Sequence, residues 1–201
     1  MAKQKALQNT AFHESGHAVV AFMLGVSFRS VTIRADAETE SLGMVMLRDS
    51  PKWAIPDTEA YSDRCARAWF ERTTQISLAG QISEAVRAGR RPARYSHSSD
   101  NDHAVDRAIE ISASDEEASA WINWLFIRTR NMLGLPFVWA AVVALGRELM
   151  ERETITGAAA RMTIRNAMRP PGRLPKPRFR VTLRFVPFPE LRSEMLKLVK
   201  P

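Results

Sequence analysis

The chain has 201 residues, 45% of them apolar and 25% charged, with 29 Lys and Arg against 22 Asp and Glu. That composition is ordinary for a globular protein and excludes wholesale disorder, and the single cysteine, Cys65, excludes a disulfide scaffold and any paired-cysteine zinc site. The net charge of +7 is unevenly placed: residues 161–201 hold eleven basic and two acidic side chains, leaving 18 bases and 20 acids for residues 1–160.

In chain order, residues 5–24 read as a helix rich in Ala, Leu, Phe and Val, with Gly25 placed to close it. His13, Glu14 and His17 interrupt its apolar run, so it is not a secretory leader, and no other stretch reaches the roughly 20 apolar residues of a membrane span. The expectation is a soluble, cytoplasmic chain without a span. RSVTIR (29–34) and LGMVML (42–47) have the pattern of two short strands joined by a polar, acidic hairpin-like connection. Pro51 and Pro56 mark 50–57 as a loop. Apolar residues recur at helical spacing over 59–88, with Cys65 expected inside as a small buried residue. Further helices are predicted over 102–112, 114–130, 136–151 with Pro136 in the first turn, and 154–167 with Thr156 as N-cap. Four of the five tryptophans (Trp69, Trp121, Trp124 and Trp139) fall within these patterns and are expected in the core. Beyond Pro170-Pro171-Gly172, RFRVTLRFVPF alternates basic and apolar residues, either as a strand or unpaired. The expected fold class is mainly α with a small β element of short strands, in two parts: a domain over 1–168 and a basic, Pro-rich extension over 169–201.

The chemistry lies in His13-Glu14-Ser15-Gly16-His17, an HExxH sequence. Residues four apart share one helix face, so both imidazoles can reach a single Zn²⁺, and Glu14 stands beside them as a general base for a zinc-activated water. Ser15 and Gly16 are small and keep the helix surface open, and the flanking Ala11-Phe12 and Ala18-Val19-Val20-Ala21 point to a buried helix. Two buried imidazoles without partners would be costly. A catalytic zinc takes three protein ligands, and spacing alone leaves Glu84, His97, Asp100, Asp102 and His103 as candidates for the third. The longer HExxHxxGxxH pattern is excluded by the apolar residues after His17.

Along residues 8–165 the sequence resembles the peptidase domain of the FtsH family of AAA+ zinc proteases. TAFHESGHAVVA is similar to that family's zinc helix, VTI with LGMV to its two following strands, and SLAGQISEA to its glycine- and glutamate-bearing segment. SSDNDHAVDRA is similar to the segment where an aspartate opens a helix, and ELMERETITGAAARMTI to the closing helix pair. The resemblance implies a helical zincin-type domain in which His13, His17 and Asp100 ligate zinc and Glu14 is the catalytic base. Ala104 and Ala108, four and eight residues after Asp100, set that register, and Asp102 is the rival two residues on. Glu84 is expected either to hydrogen-bond a ligand histidine or to form a helix-face ion pair. The departures are equally plain. The chain holds no G-x-x-x-x-G-K-[ST] loop, Ala79-Gly80 replaces Gly-Gly, and IRADAETESLG replaces a Pro-Arg-Gly loop.

The expected function is therefore that of an ATP-independent zinc metalloendopeptidase that hydrolyses flexible or unfolded polypeptides, without ATP or a membrane as partner. Two alternatives stand beside it: a catalytically silent zinc-binding module of the same fold, and a nucleic-acid-associated protein using Arg178, Arg180 and Arg184 interleaved with Phe179 and Phe185. No recognised nucleic-acid motif accompanies that basic tail. The oligomeric state is left open.

Overall fold

A computed structural model describes residues 2–35, 42–48, 64–93 and 99–169. Among them are six helices and a three-stranded antiparallel sheet, in the order α1 (Ala2–Met23), β1 (Phe28–Thr32), β2 (Met44–Leu47), α2 (Arg64–Arg87), α3 (Ser99–Glu110), α4 (Asp115–Leu133), α5 (Pro136–Arg152), β3 (Thr154–Thr156) and α6 (Gly157–Ala167). The class is mainly α with a small β element, as the sequence led us to expect. Residues 170–201 of the basic extension, His97, Trp53 and the loop at 50–57 lie outside the described residues.

α1 is the central element. From Ala11 to Ala21 only His13 keeps notable exposure, so this stretch is surrounded instead of presenting one apolar stripe. It packs against α2 on one side and α5 on the other. Small residues allow the approach to α2: a Cβ at Gly16 would lie 2.7 Å from the Ala79 carbonyl. α1 ends where Gly25 takes a left-handed φ of 71°, with Gly25 N–H donating to Phe22 O and Val26 N–H to Ala21 O. That is a Schellman closure, and Gly89 repeats it at the end of α2, with φ of 64° and bonds to Val86 O and Ala85 O.

The remaining helix starts follow local chemistry. Ser114 caps α4, its hydroxyl accepting from Glu117 N–H, and Pro136 opens α5 where no donor is needed. Thr156 caps α6 as predicted, accepting from Ala159 N–H at 3.3 Å.

Three expectations are corrected. Residues 154–156 are not helical. This β-branched Thr-Ile-Thr forms β3 and pairs with β1, Ile155 opposite Val31, and both are buried. Cys65 is exposed, because Ala66 and Phe70 set the inward phase of α2 and Cys65 precedes Ala66 by one residue. Trp124 is also exposed, on the outer face of α4 with the Arg128 guanidinium over its ring, while Trp121, Ile122, Leu125 and Phe126 face inward.

Among the described residues the sheet order is β2-β1-β3, so β2 is its edge strand there. Val31 pairs with Val45 on one side and Ile155 on the other. Among the described residues no single helix is long and apolar enough to cross a membrane.

Candidate metal centre

His13 and His17 stand one turn apart on α1, their rings edge to face with centroids 4.6 Å apart. Asp100, in the first turn of α3, brings Oδ2 to 2.9 Å from His13 Nε2 and 3.2 Å from His17 Nε2. The three ligand atoms lie within 4.8 Å of one another and could hold a metal ion.

The far side of each imidazole is also occupied. His17 Nδ1 donates to the Ile76 carbonyl at 2.6 Å, and His13 Nδ1 meets Glu84 Oε1 at 2.8 Å. A carbonyl oxygen only accepts, so Nδ1 of His17 carries a proton and Nε2 is the ring atom turned toward Asp100. The Glu84 carboxylate likewise accepts from Nδ1 of His13. Two imidazole nitrogens and one carboxylate oxygen thus converge, an arrangement that could hold a cation between them. Two nitrogens and one oxygen form a borderline donor set that suits zinc.

Ile76, Gly80 and Glu84 follow one another at single-turn spacing on α2 and together frame the two rings. Ile76 fixes His17 through its backbone and Glu84 fixes His13 through its side chain. Gly80 between them leaves the space the rings need, since a Cβ there would strike Nε2 of both.

Charge and burial oppose each other here. Burial works to lower the His13 imidazole, but the hydrogen bonds to Asp100 and Glu84, with the charge of Glu14, hold it up at about 10. Burial pushes the Asp100 carboxyl up, yet its bonds to His13 and His17 win and hold it well below the usual carboxylate range. Glu14 is 5% exposed, and burial raises its carboxyl against the opposing pull of His17 and His13. A carboxylate raised in this way is a better proton acceptor than one in water.

These groups open into a cleft of about 480 Å³. Gly43 and β2 form one wall, and a Cβ at Gly43 would lie 2.8 Å from Glu14 Cγ. Ser77, Ser99, His103 and Arg107 line the other parts.

Of the residues singled out by sequence, His13, Glu14, His17 and Asp100 are brought together, and Glu84 is the hydrogen-bond partner of His13. Asp102 is exposed and outside the cluster, while His103 is exposed and lines the cleft without joining it. Sequence reasoning missed Arg107, which shares the cleft-facing side of α3 with Asp100 at a spacing of seven residues. Knowing the phase of α3 would have found it.

Replacing Glu84 by Gln should leave the fold intact and weaken zinc affinity about 10- to 100-fold, because an outer partner sets ring orientation and basicity. Competition against a chelating indicator measures this, and unchanged affinity would make Glu84 a bystander.

No protein-family model matches the chain, and no curated protein matches it.

Proposed function

We propose that the protein is a zinc metalloendopeptidase of zincin type, related to the FtsH peptidase domain, acting on polypeptides that are already flexible or unfolded. The observation that carries this reading is the convergence of His13, His17 and Asp100 beside the buried Glu14 at the floor of an open cleft.

His13, His17 and Asp100 would hold the metal. Zinc, when bound, supplies a Lewis acid that acidifies water and polarises the scissile carbonyl. Glu14 accepts the proton of the attacking water on its carboxylate and returns it to the leaving amine. Its burial keeps that proton from escaping to solvent, and Gly43 leaves the carboxylate room to act. Glu84 and the Ile76 carbonyl hold the imidazoles in the tautomers that keep both Nε2 atoms as ligands.

Residues 42–47 are the proposed docking strand. β2 is at the sheet edge, and Met44, Val45 and Leu47 line the cleft, so an extended chain can add to the sheet and pass the metal. This chain holds no phosphate-binding loop, so the proposal is confined to substrates that need no unfolding.

The test is the metal content of the purified full-length protein followed by digestion of casein. One zinc per chain is expected, with cleavage reduced about 100- to 10,000-fold by Glu14→Gln at unchanged zinc content. Full zinc loading with no cleavage of casein or of any short flexible peptide would replace the enzyme by a silent metal-binding module.

A further inference from the structure

The two ends of the cleft differ in charge. α2 runs antiparallel to α1: Arg87 reaches Asn9, Glu84 reaches His13 and Ile76 reaches His17. Glu84 therefore marks one end, and Ser77, beside Ile76, marks the other. Arg107 lies at this second end, where Nη1 donates to Ser77 Oγ at 2.9 Å. It follows Asp100 by seven residues, so its backbone is about 10 Å further along the same face of α3.

Among the described residues the guanidinium makes one hydrogen bond, to Ser77. Three carboxylates act on it at longer range. Asp100 is already engaged by both histidines, and Asp106 and Glu110 are exposed. Burial disfavours its charge, and those carboxylates oppose that effect. A guanidinium offers five N–H donors in a planar fork that fits a carboxylate through two parallel bonds. With one donor spent on Ser77, the fork is aimed, and among the described residues its other donors are open to a ligand.

We propose that Arg107 binds a carboxylate of the substrate, so that the cleft selects polypeptides carrying a negative charge within about three extended residues of the scissile bond. This rests on the peptidase reading and names its substrate class. The carboxylate comes from an acidic side chain or from a free C-terminus, and the two sources are separable.

The experiment uses full-length zinc-loaded protein and three sets of quenched fluorescent peptides. One set has Asp or Glu near the cleavage site and an amidated end. The second has Asn or Gln at the same positions and an amidated end. The third has neutral side chains and a free C-terminal carboxylate. The kcat/KM ratio of the first or third set to the second is expected to be about 10 to 100, in line with a charge-assisted hydrogen-bonded pair. Arg107→Met should bring that ratio near one, and Arg107→Glu should turn the preference toward Lys-bearing peptides. One zinc per chain in each variant shows that the centre is still built.

Peptides cleaved by the natural protein with a ratio near one would overturn the carboxylate site and leave the peptidase reading standing. Full zinc without cleavage of any set would remove the peptidase reading, and fluorescence anisotropy with the same peptides then decides. Tighter binding of the carboxylate-bearing sets, lost in Arg107→Met, supports the site on its own. Equal binding of all three sets overturns it.

Discussion

Alanine at Asp100 should abolish zinc binding at the proposed centre, and alanine at Asp102 should not. Both acids occupy the first turn of α3, where the helix dipole favours either one. Only Asp100 turns its carboxylate onto both Nε2 atoms, while Asp102 is exposed. Loss of a direct ligand should cost more than the roughly 10- to 100-fold in affinity that an outer hydrogen-bond partner supplies. Losing Asp102 should cost only about 0.3–1 kcal/mol of stability through the helix terminus. Zinc per chain after dialysis against a weak chelator reads the difference, expected near zero for Asp100→Ala and near one for Asp102→Ala. The reverse pattern would overturn the ligand assignment.

The second large effect belongs to a residue with no functional group. Gly80→Ala lies within α2, where alanine ordinarily improves a helix by about 1 kcal/mol over glycine. Here the sign should invert. The added methyl points at Nε2 of both histidines, closer than real Cβ atoms approach anything. The rings must tilt or α1 must move away from α2, and overpacking of this kind costs about 1–3 kcal/mol. A lower urea midpoint together with weakened zinc binding is expected. A variant as stable as the natural protein, with undiminished zinc affinity, would show that the rings do not sit against α2.

What the sequence disclosed about this site follows from how local each feature is. The His13–His17 pair and Glu14 belong to one helical turn, so five residues specify their geometry. Thr156 as a cap and Pro136 as a helix start are equally local, and both are borne out. Asp100 is 83 residues from His17, and no spacing rule reaches across that distance. The resemblance named it, and the short contacts to both rings support it. β3 escaped notice because three residues carry no period, and its identity depends on β1, more than 120 residues earlier. Cys65 and Trp124 were misplaced by phase: each sits beside inward residues in sequence and about 100° away from them around the helix. Arg107 was invisible for the opposite reason. Its composition is unremarkable on a charged helix, and only the packing of α3 against α2 brings it to Ser77 and the cleft.

α2 contributes no ligand, yet it sets the aim of both histidines from behind through Ile76, Gly80 and Glu84. It works as a ruler: Ile76 and Glu84, two turns apart on α2, hold the two histidines that stand one turn apart on α1. A ruler tolerates changes in its material better than changes in its length. Substitutions on its outer faces leave the spacing untouched, whereas one inserted residue between Ile76 and Glu84 would turn the second mark by about 100° relative to the first. The accuracy of the centre is therefore encoded as a count of residues in a helix that supplies none of the three candidate ligand atoms.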